Sequence, residues 1–234
     1  MTEKEILRIF ETKKALLNGH FLLSSGLHSD TYLQCALILQ YPDLAEKLAR
    51  LLVKKFLSTY QPINLSTLVT VISPALGGIV IGQEVARALK CRAIFTEREN
   101  GRMALRRGFQ INKGEKVLVV EDVITTGGST QEVIDVVRNA DGQVVGIAAL
   151  VDRSGGKIRL RLDFGGQAKF KFPLVSLVKL GIENYKPQEC PLCKKNIPLV
   201  KPGSRVNVGS LHSQETQYQS DTVAFRSKRF RQTK

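Results

Sequence analysis

Val117-Leu118-Val119-Val120-Glu121-Asp122-Val123-Ile124-Thr125-Thr126-Gly127-Gly128-Ser129-Thr130 is the stretch on which the architecture turns. The apolar run predicts a strand covered on both faces. Two acids stand at its carboxyl end, hydroxyls and glycines follow, and helical spacing resumes near 129–139. Glycines let backbone N–H groups approach an anion closely, and a helix N-terminus adds partial positive charge, so the turn suits a single phosphate. No Gly-Lys-Ser/Thr closes it and it is not Gly-x-Gly-x-x-Gly, which sets it apart from two common nucleotide loops. Glu121 and Asp122 suit ribose hydroxyls, and at least one of them can face a metal ion. A plain solvated turn would need no string so specific.

Outward from this unit the pattern repeats. Residues 67–72 form a β-rich run ending in Ser73-Pro74-Ala75-Leu76-Gly77-Gly78, with helical spacing over 79–89 and a short strand over 91–96. The stretch 97–109 is charged and glycine-bounded with little periodicity, and reads as a loop. Residues 143–151 form a further strand ending in Asp152-Arg153. On the amino-terminal side, a helix is expected over 2–17 with Asn18-Gly19 as its stop. Two short strands around a turn at 24–30 follow, then a helix over 43–58. Alternation resumes over 168–180. Strands alternating with helices predict an α/β fold with a central, mostly parallel sheet flanked by helices. Ligands bind outside the carboxyl ends of such strands, and three of these ends carry polar or glycine-rich loops: 73–78, 121–130 and 152–156.

The formal charge of the 234-residue chain is +14. Residues 204–234 hold six basic against two acidic residues, contributing +4, and are polar without periodicity, as in a disordered tail. Much of the remaining excess clusters beside glycine-rich turns, where a substrate with several phosphates would want it as much as a nucleic acid would. Nucleic acid is therefore not the favoured partner. No run approaches the roughly 18 apolar residues of a membrane span. The N-terminus carries both charge signs and no signal-peptide pattern, so the cytoplasm is the expected compartment. Cys35 and Cys91 lie in apolar runs and read as buried small hydrophobes. Cys190-Pro191-Leu192-Cys193 stands alone, without a second pair or a histidine cluster nearby in sequence; metal, redox pair and structural turn remain open.

The 117–130 string resembles the phosphoribosyl diphosphate (PRPP) signature of type I phosphoribosyltransferases: apolar run, two acids, two apolar residues, then Thr-x-Gly-x-Thr/Ser. Gly19 to Ser29, Leu105-Arg106-Arg107-Gly108-Phe109, Val151-Asp152-Arg153 and Val200 to Arg205 extend the likeness to the orotate phosphoribosyltransferases, in the bacterial subgroup with a C-terminal Cys-Pro-Leu-Cys. The resemblance spans about residues 5–205. It implies a phosphoribosyltransferase domain over 1–203, with a small hood from about 1–40 and 168–203 and a core over about 43–165. It also implies Mg²⁺ as cofactor, held mainly by substrate rather than by protein ligands, and a homodimer with shared active sites. Glu121, Asp122, Val123, Ile124, Thr125, Thr126, Gly127, Gly128 and Ser129 would hold the ribose and 5-phosphate of PRPP. Thr125 and Arg153 would contact orotate, the latter through the carboxylate, which a guanidinium fork matches. Residues 73–78 would meet the diphosphate, and 97–109 would be the mobile catalytic loop, with Arg98, Arg102, Arg106 and Arg107 as candidates to neutralise the leaving group. Asp122 would stabilise the charge developing on the ribose.

Two departures accompany the resemblance. Many members carry Lys where Ser24 stands, and 97–109 holds no Lys or His. Two other readings compete: an enzyme of this fold acting on a purine, and a non-catalytic regulator using the basic tail on nucleic acid. The carboxylate-matching Arg153 argues against the first, and retention of Glu121-Asp122 with a full basic loop argues against the second.

Overall fold

In the computed structural model, the described residues are 1–23, 25–59, 70–156, 158, 160 and 174–202. Ser24, the start of the 67–72 run, Phe170, Phe172 and the 204–234 tail lie outside them.

The strands predicted from continuous apolar runs pair in parallel, as their patterning requires. β3 (Thr70–Pro74) lies between β4 (Arg92–Glu99) and β6 (Lys116–Ile124), followed by β7 (Gln143–Asp152) and β8 (Leu174–Lys179). β5 (Arg102–Leu105) adds an antiparallel edge on β4. Side chains alternate across the central strand: Leu118 and Val120 join one core, Val117 and Val119 the other. The first core receives Ile6 and Phe10 from α1 (Glu3–Thr12). Leu48, Leu52 and Phe56 join from α3 (Pro42–Thr59), with Ile81 and Val85 from α4 (Gly77–Leu89). The second receives Val133, Ile134 and Val137 from α5 (Gly128–Asn139). This is the α/β sheet with helices on both faces that the sequence predicts.

A second, antiparallel sheet is built from β1 (Leu16–Leu22), β2 (His28–Leu33) and the two-residue β9 (Asn184–Tyr185), in the order β1-β2-β9. Here the expectation needs correction, because α1 stops at Thr12 and Leu16–Leu22 is strand. A capping box between Thr2 and Glu5 starts the helix. At its end Lys14 takes a left-handed conformation (φ 55°). The Ala15 N–H then bonds the Phe10 carbonyl at 2.8 Å, and the Lys14 N–H that of Glu11 at 2.9 Å. That arrangement is a Schellman stop without its usual glycine, so no residue type marks it in the sequence. Asn18-Gly19, expected as the stop, lies inside β1. Cys35 stands at the start of the short α2 (Ala36–Leu39) without capping it, and is therefore buried at a helix start rather than in a strand.

Candidate active site

β6 delivers Glu121 and Asp122 to the carboxyl side of the sheet, and the chain turns into α5 through Gly127, whose φ is 80°. A Cβ at Gly127 would combine that disfavoured backbone with a 3.0 Å approach to Leu160. No side chain caps α5, so its first N–H groups lack a capping acceptor, and Thr125, Thr126 and Gly128 beside them are exposed. An uncapped helix start following a left-handed glycine is an anion site in the making.

The turn at 73–78 lies against the same acids. A Cβ added to Gly77 would sit 2.7–2.9 Å from the carboxylate of Asp122, so glycine is what permits this contact. α4 also starts without a side-chain cap, and Leu76 before it is 84% exposed. Two glycine-started helices thus flank one acidic pair. Burial, reinforced by the neighbouring Asp122, pushes the Glu121 carboxyl up to about 8. Burial also raises Asp122, against backbone N–H groups that favour its charged form. The Thr130 hydroxyl donates to Glu121 at 3.4 Å, and among the described residues no basic side chain forms an ion pair with either acid. Carboxylates so placed are poised to receive polar, cationic or hydroxyl-bearing groups from a ligand.

Arg153 sits at the end of β7, one strand over. Its backbone N–H bonds the Ile124 carbonyl at 2.9 Å, which brings it next to Thr125. Asp152 shapes the turn, accepting from the Ser154 N–H at 2.8 Å and hydroxyl at 2.6 Å and from the Gly156 N–H at 3.0 Å. Arg153 is 5% exposed. Its Nη2 donates to Ser29 Oγ (2.9 Å), the Thr31 carbonyl (3.3 Å) and Asn184 Oδ1 (3.4 Å), while the buried Nε has no partner. Burial pushes its pKa down, with Asp30 and Tyr32 working the other way. A buried guanidinium without a contacting acid is costly, by several kcal/mol, unless an anion arrives.

The basic stretch 97–109 is a hairpin of β4 and β5 rather than a structureless loop. Three of its four arginines are engaged with acids. Arg98 pairs with Glu132 of α5 at 2.9 Å, Arg107 with Glu97 at 2.7 Å and Arg106 with Glu99 at 3.6 Å. Arg102 is exposed and forms no ion pair among the described residues. The structure therefore brings Glu121, Asp122, the 125–129 turn, the 73–78 turn and Arg153 to one side of the sheet, and holds Arg98, Arg106 and Arg107 on glutamates. Sequence reasoning missed His20 and His28, which converge on both thiols of Cys190-x-x-Cys193. No local signal linked them.

Two acids, an uncapped glycine turn and a buried arginine at the carboxyl ends of a mostly parallel sheet suit a ligand that bears phosphate, hydroxyl and carboxylate groups. The family described as "Phosphoribosyl transferase domain" matches residues 36–164. An orotate phosphoribosyltransferase of Caldanaerobacter subterraneus subsp. tengcongensis is 54% identical over 88% of this chain and 99% of its own length. The one from Caldicellulosiruptor saccharolyticus is 53% identical over 88% and 98%. Among solved structures, orotate phosphoribosyltransferase from Aeropyrum pernix aligns with TM-score 0.54 at 25% identity, covering 74% of this chain and 93% of that one. This chain belongs to the phosphoribosyl transferases and, within them, to the orotate phosphoribosyltransferase family.

Proposed function

We propose that the chain catalyses displacement of diphosphate from C1 of PRPP by a ring nitrogen of orotate, giving orotidine 5′-monophosphate in pyrimidine biosynthesis. The observation that carries the substrate choice is Arg153. Its guanidinium is buried, touches no acid among the described residues, has an unpartnered Nε, and is tied by its backbone to the residue before Thr125. A planar carboxylate on the base satisfies it, and uracil, which lacks that group, leaves it unpaired.

The remaining roles are those the family resemblance implies, and the local chemistry is compatible with them. The N–H groups and hydroxyls of Thr125 to Ser129 bind the 5-phosphate, and Glu121 and Asp122 take the ribose hydroxyls. Asp122, beside the ring, stabilises the oxocarbenium-like charge that develops as the bond to diphosphate lengthens. The 73–78 turn meets the diphosphate. Hard carboxylate oxygens at the strand end are compatible with Mg²⁺, which would be held mainly by substrate oxygens and waters, with Glu121 or Asp122 facing it. When bound, the ion neutralises charge on the leaving diphosphate. Arg98, Arg102, Arg106 and Arg107 assist there, which requires the first, third and fourth to exchange their glutamates for phosphate oxygens. A closed hairpin would also exclude the water that hydrolyses PRPP.

We further take the enzyme to be a cytoplasmic homodimer in which the hairpin of one protomer serves the other's site. By the same resemblance, about 1–40 and 168–203 would supply a hood and about 43–165 the core. The test is loss of orotate absorbance with PRPP and Mg²⁺, beside a chelator control and Arg153→Ala. Rapid Mg²⁺-dependent consumption that collapses in the variant is expected. A folded, PRPP-binding protein that leaves orotate untouched would overturn the assignment.

A further inference from the structure

We propose that His20, His28, Cys190 and Cys193 form a closed, tetrahedral structural Zn²⁺ site that clips the β1–β2 hairpin to the carboxy-terminal segment of the domain. The four potential ligand atoms lie within 4.8 Å of one another. His20 Nε2 is 2.9 Å from His28 Nδ1 and 3.5 Å from Cys190 Sγ. Cys193 Sγ is 3.7 Å from His20 Nε2 and 3.3 Å from His28 Nδ1. A zinc tetrahedron with ordinary bond lengths has N···N edges of about 3.3 Å and N···S edges of about 3.6 Å. The four side chains stand close to those edges.

Hydrogen bonding alone does not account for the convergence. His20 Nδ1 lies 2.7 Å from the Ile197 carbonyl, which only accepts, so Nδ1 carries the proton and Nε2 presents its lone pair. That single in-plane lone pair is approached by His28 Nδ1 and by both sulfurs, and it cannot accept from three donors. One cation in the centre satisfies all four groups at once, while the Ile197 carbonyl orients the histidine from behind, as outer partners of metal-bound imidazoles do. The two cysteines are free thiols, and His20, His28 and Cys190 are buried at 2%, 5% and 0% exposure. Two sulfurs and two imidazoles in a tetrahedron suit zinc. A two-iron cluster would separate its cysteine pair from its histidine pair, contrary to the 3.3–3.7 Å mixed distances.

The local architecture has a use for such a clip. β9 has two residues and α6 (Pro191–Lys194) has four, too short to hold themselves. Beyond them Val200 exchanges hydrogen bonds with β1, through His20 O and Leu22 N at 2.8 Å each. His28 adjoins Ser29, and Ser29 and Asn184 are partners of Arg153. Resting on the reading of Arg153 above, the ion would also keep the orotate clamp in register.

The test is metal analysis of the full-length protein purified without chelators, by inductively coupled plasma mass spectrometry. About one zinc per chain is expected, retained in Cys91→Ser and reduced to less than about a tenth in Cys193→Ser and His28→Ala. Because loss of a ligand can also unfold these variants, Co²⁺ exchange into the unaltered protein supplies a second reading. Intense visible bands of tetrahedral cobalt with a sulfur-to-metal charge-transfer band are expected. A folded protein that holds neither metal, an octahedral cobalt spectrum without thiolate ligation, or a Cys190–Cys193 disulfide in the native protein would each overturn the site. Metal content is independent of turnover, so an inactive, zinc-loaded protein would leave this inference standing while sinking the orotate reading.

Discussion

Glu115 and Glu121 stand at opposite ends of the same strand and are treated in opposite ways. Glu115, just before β6, is 6% exposed and fully partnered. It accepts from the Thr70 hydroxyl, from Asn112 N and Nδ2 at 2.8 and 2.9 Å, and from Arg92. Burial alone would raise its pKa, but these bonds, that from Thr70 first, hold it below the ordinary value. Glu121 has burial and a like-charged neighbour, with one long hydrogen bond from Thr130 as relief, and is pushed up to about 8. One acid joins the amino ends of three strands and is satisfied by the fold. The other stands at the carboxyl ends with one long hydrogen bond, where the proposed ligand would complete it. The difference separates structural charge from functional charge within one sheet.

The contrast can be broken by substitution. Asp122→Asn should lower kcat/KM roughly 10²–10³-fold, about 3–4 kcal/mol of transition-state stabilisation, without lowering the melting temperature. Steady-state kinetics beside calorimetry decides it, and a variant that melts early with normal turnover would reverse the assignment. Glu115→Ala should do the opposite, costing about 2–3 kcal/mol of stability in denaturant titrations while the folded fraction turns over normally. Because the Glu115 pKa is depressed, its contribution is present above the ordinary carboxylate range and fades as pH falls through its folded value. Arg153→Ala should raise the orotate KM roughly ten- to a hundredfold with PRPP binding retained, and Arg153→Lys should restore little of it. Least of all, Arg98→Ala removes an exposed pair with Glu132 and should change stability by no more than about 1 kcal/mol. If Arg98 turns to the diphosphate during turnover, kcat falls as well.

Much of the sheet was legible because its signals are local. The run 117–130 carries its strand, acids, turn and helix start within fourteen consecutive residues. The misses arise where distant or unusual contacts decide. α1 ends at a left-handed lysine rather than a glycine. β5, with four residues, has too little pattern to register as a strand, and its hairpin is fastened to α5 by the Arg98–Glu132 pair. The histidine–cysteine cluster joins residues 170 positions apart in the chain, a proximity that no spacing within either segment encodes.

The most direct test of the charge contrast is unfolding stability as a function of pH for the unaltered protein and Glu121→Gln, with and without Mg²⁺ and PRPP. Glu121 has a folded pKa raised from 4.5 to about 8. Between those values the folded state binds more protons, so stability should fall as pH rises, by at most about 1.4 kcal/mol per pH unit from this group. Glu121→Gln should flatten that slope and stabilise the unliganded protein at neutral pH, and saturating Mg²⁺ and PRPP should flatten it in the unaltered protein. Identical slopes with and without Glu121, or a stability that rises across this window because of it, would contradict the account.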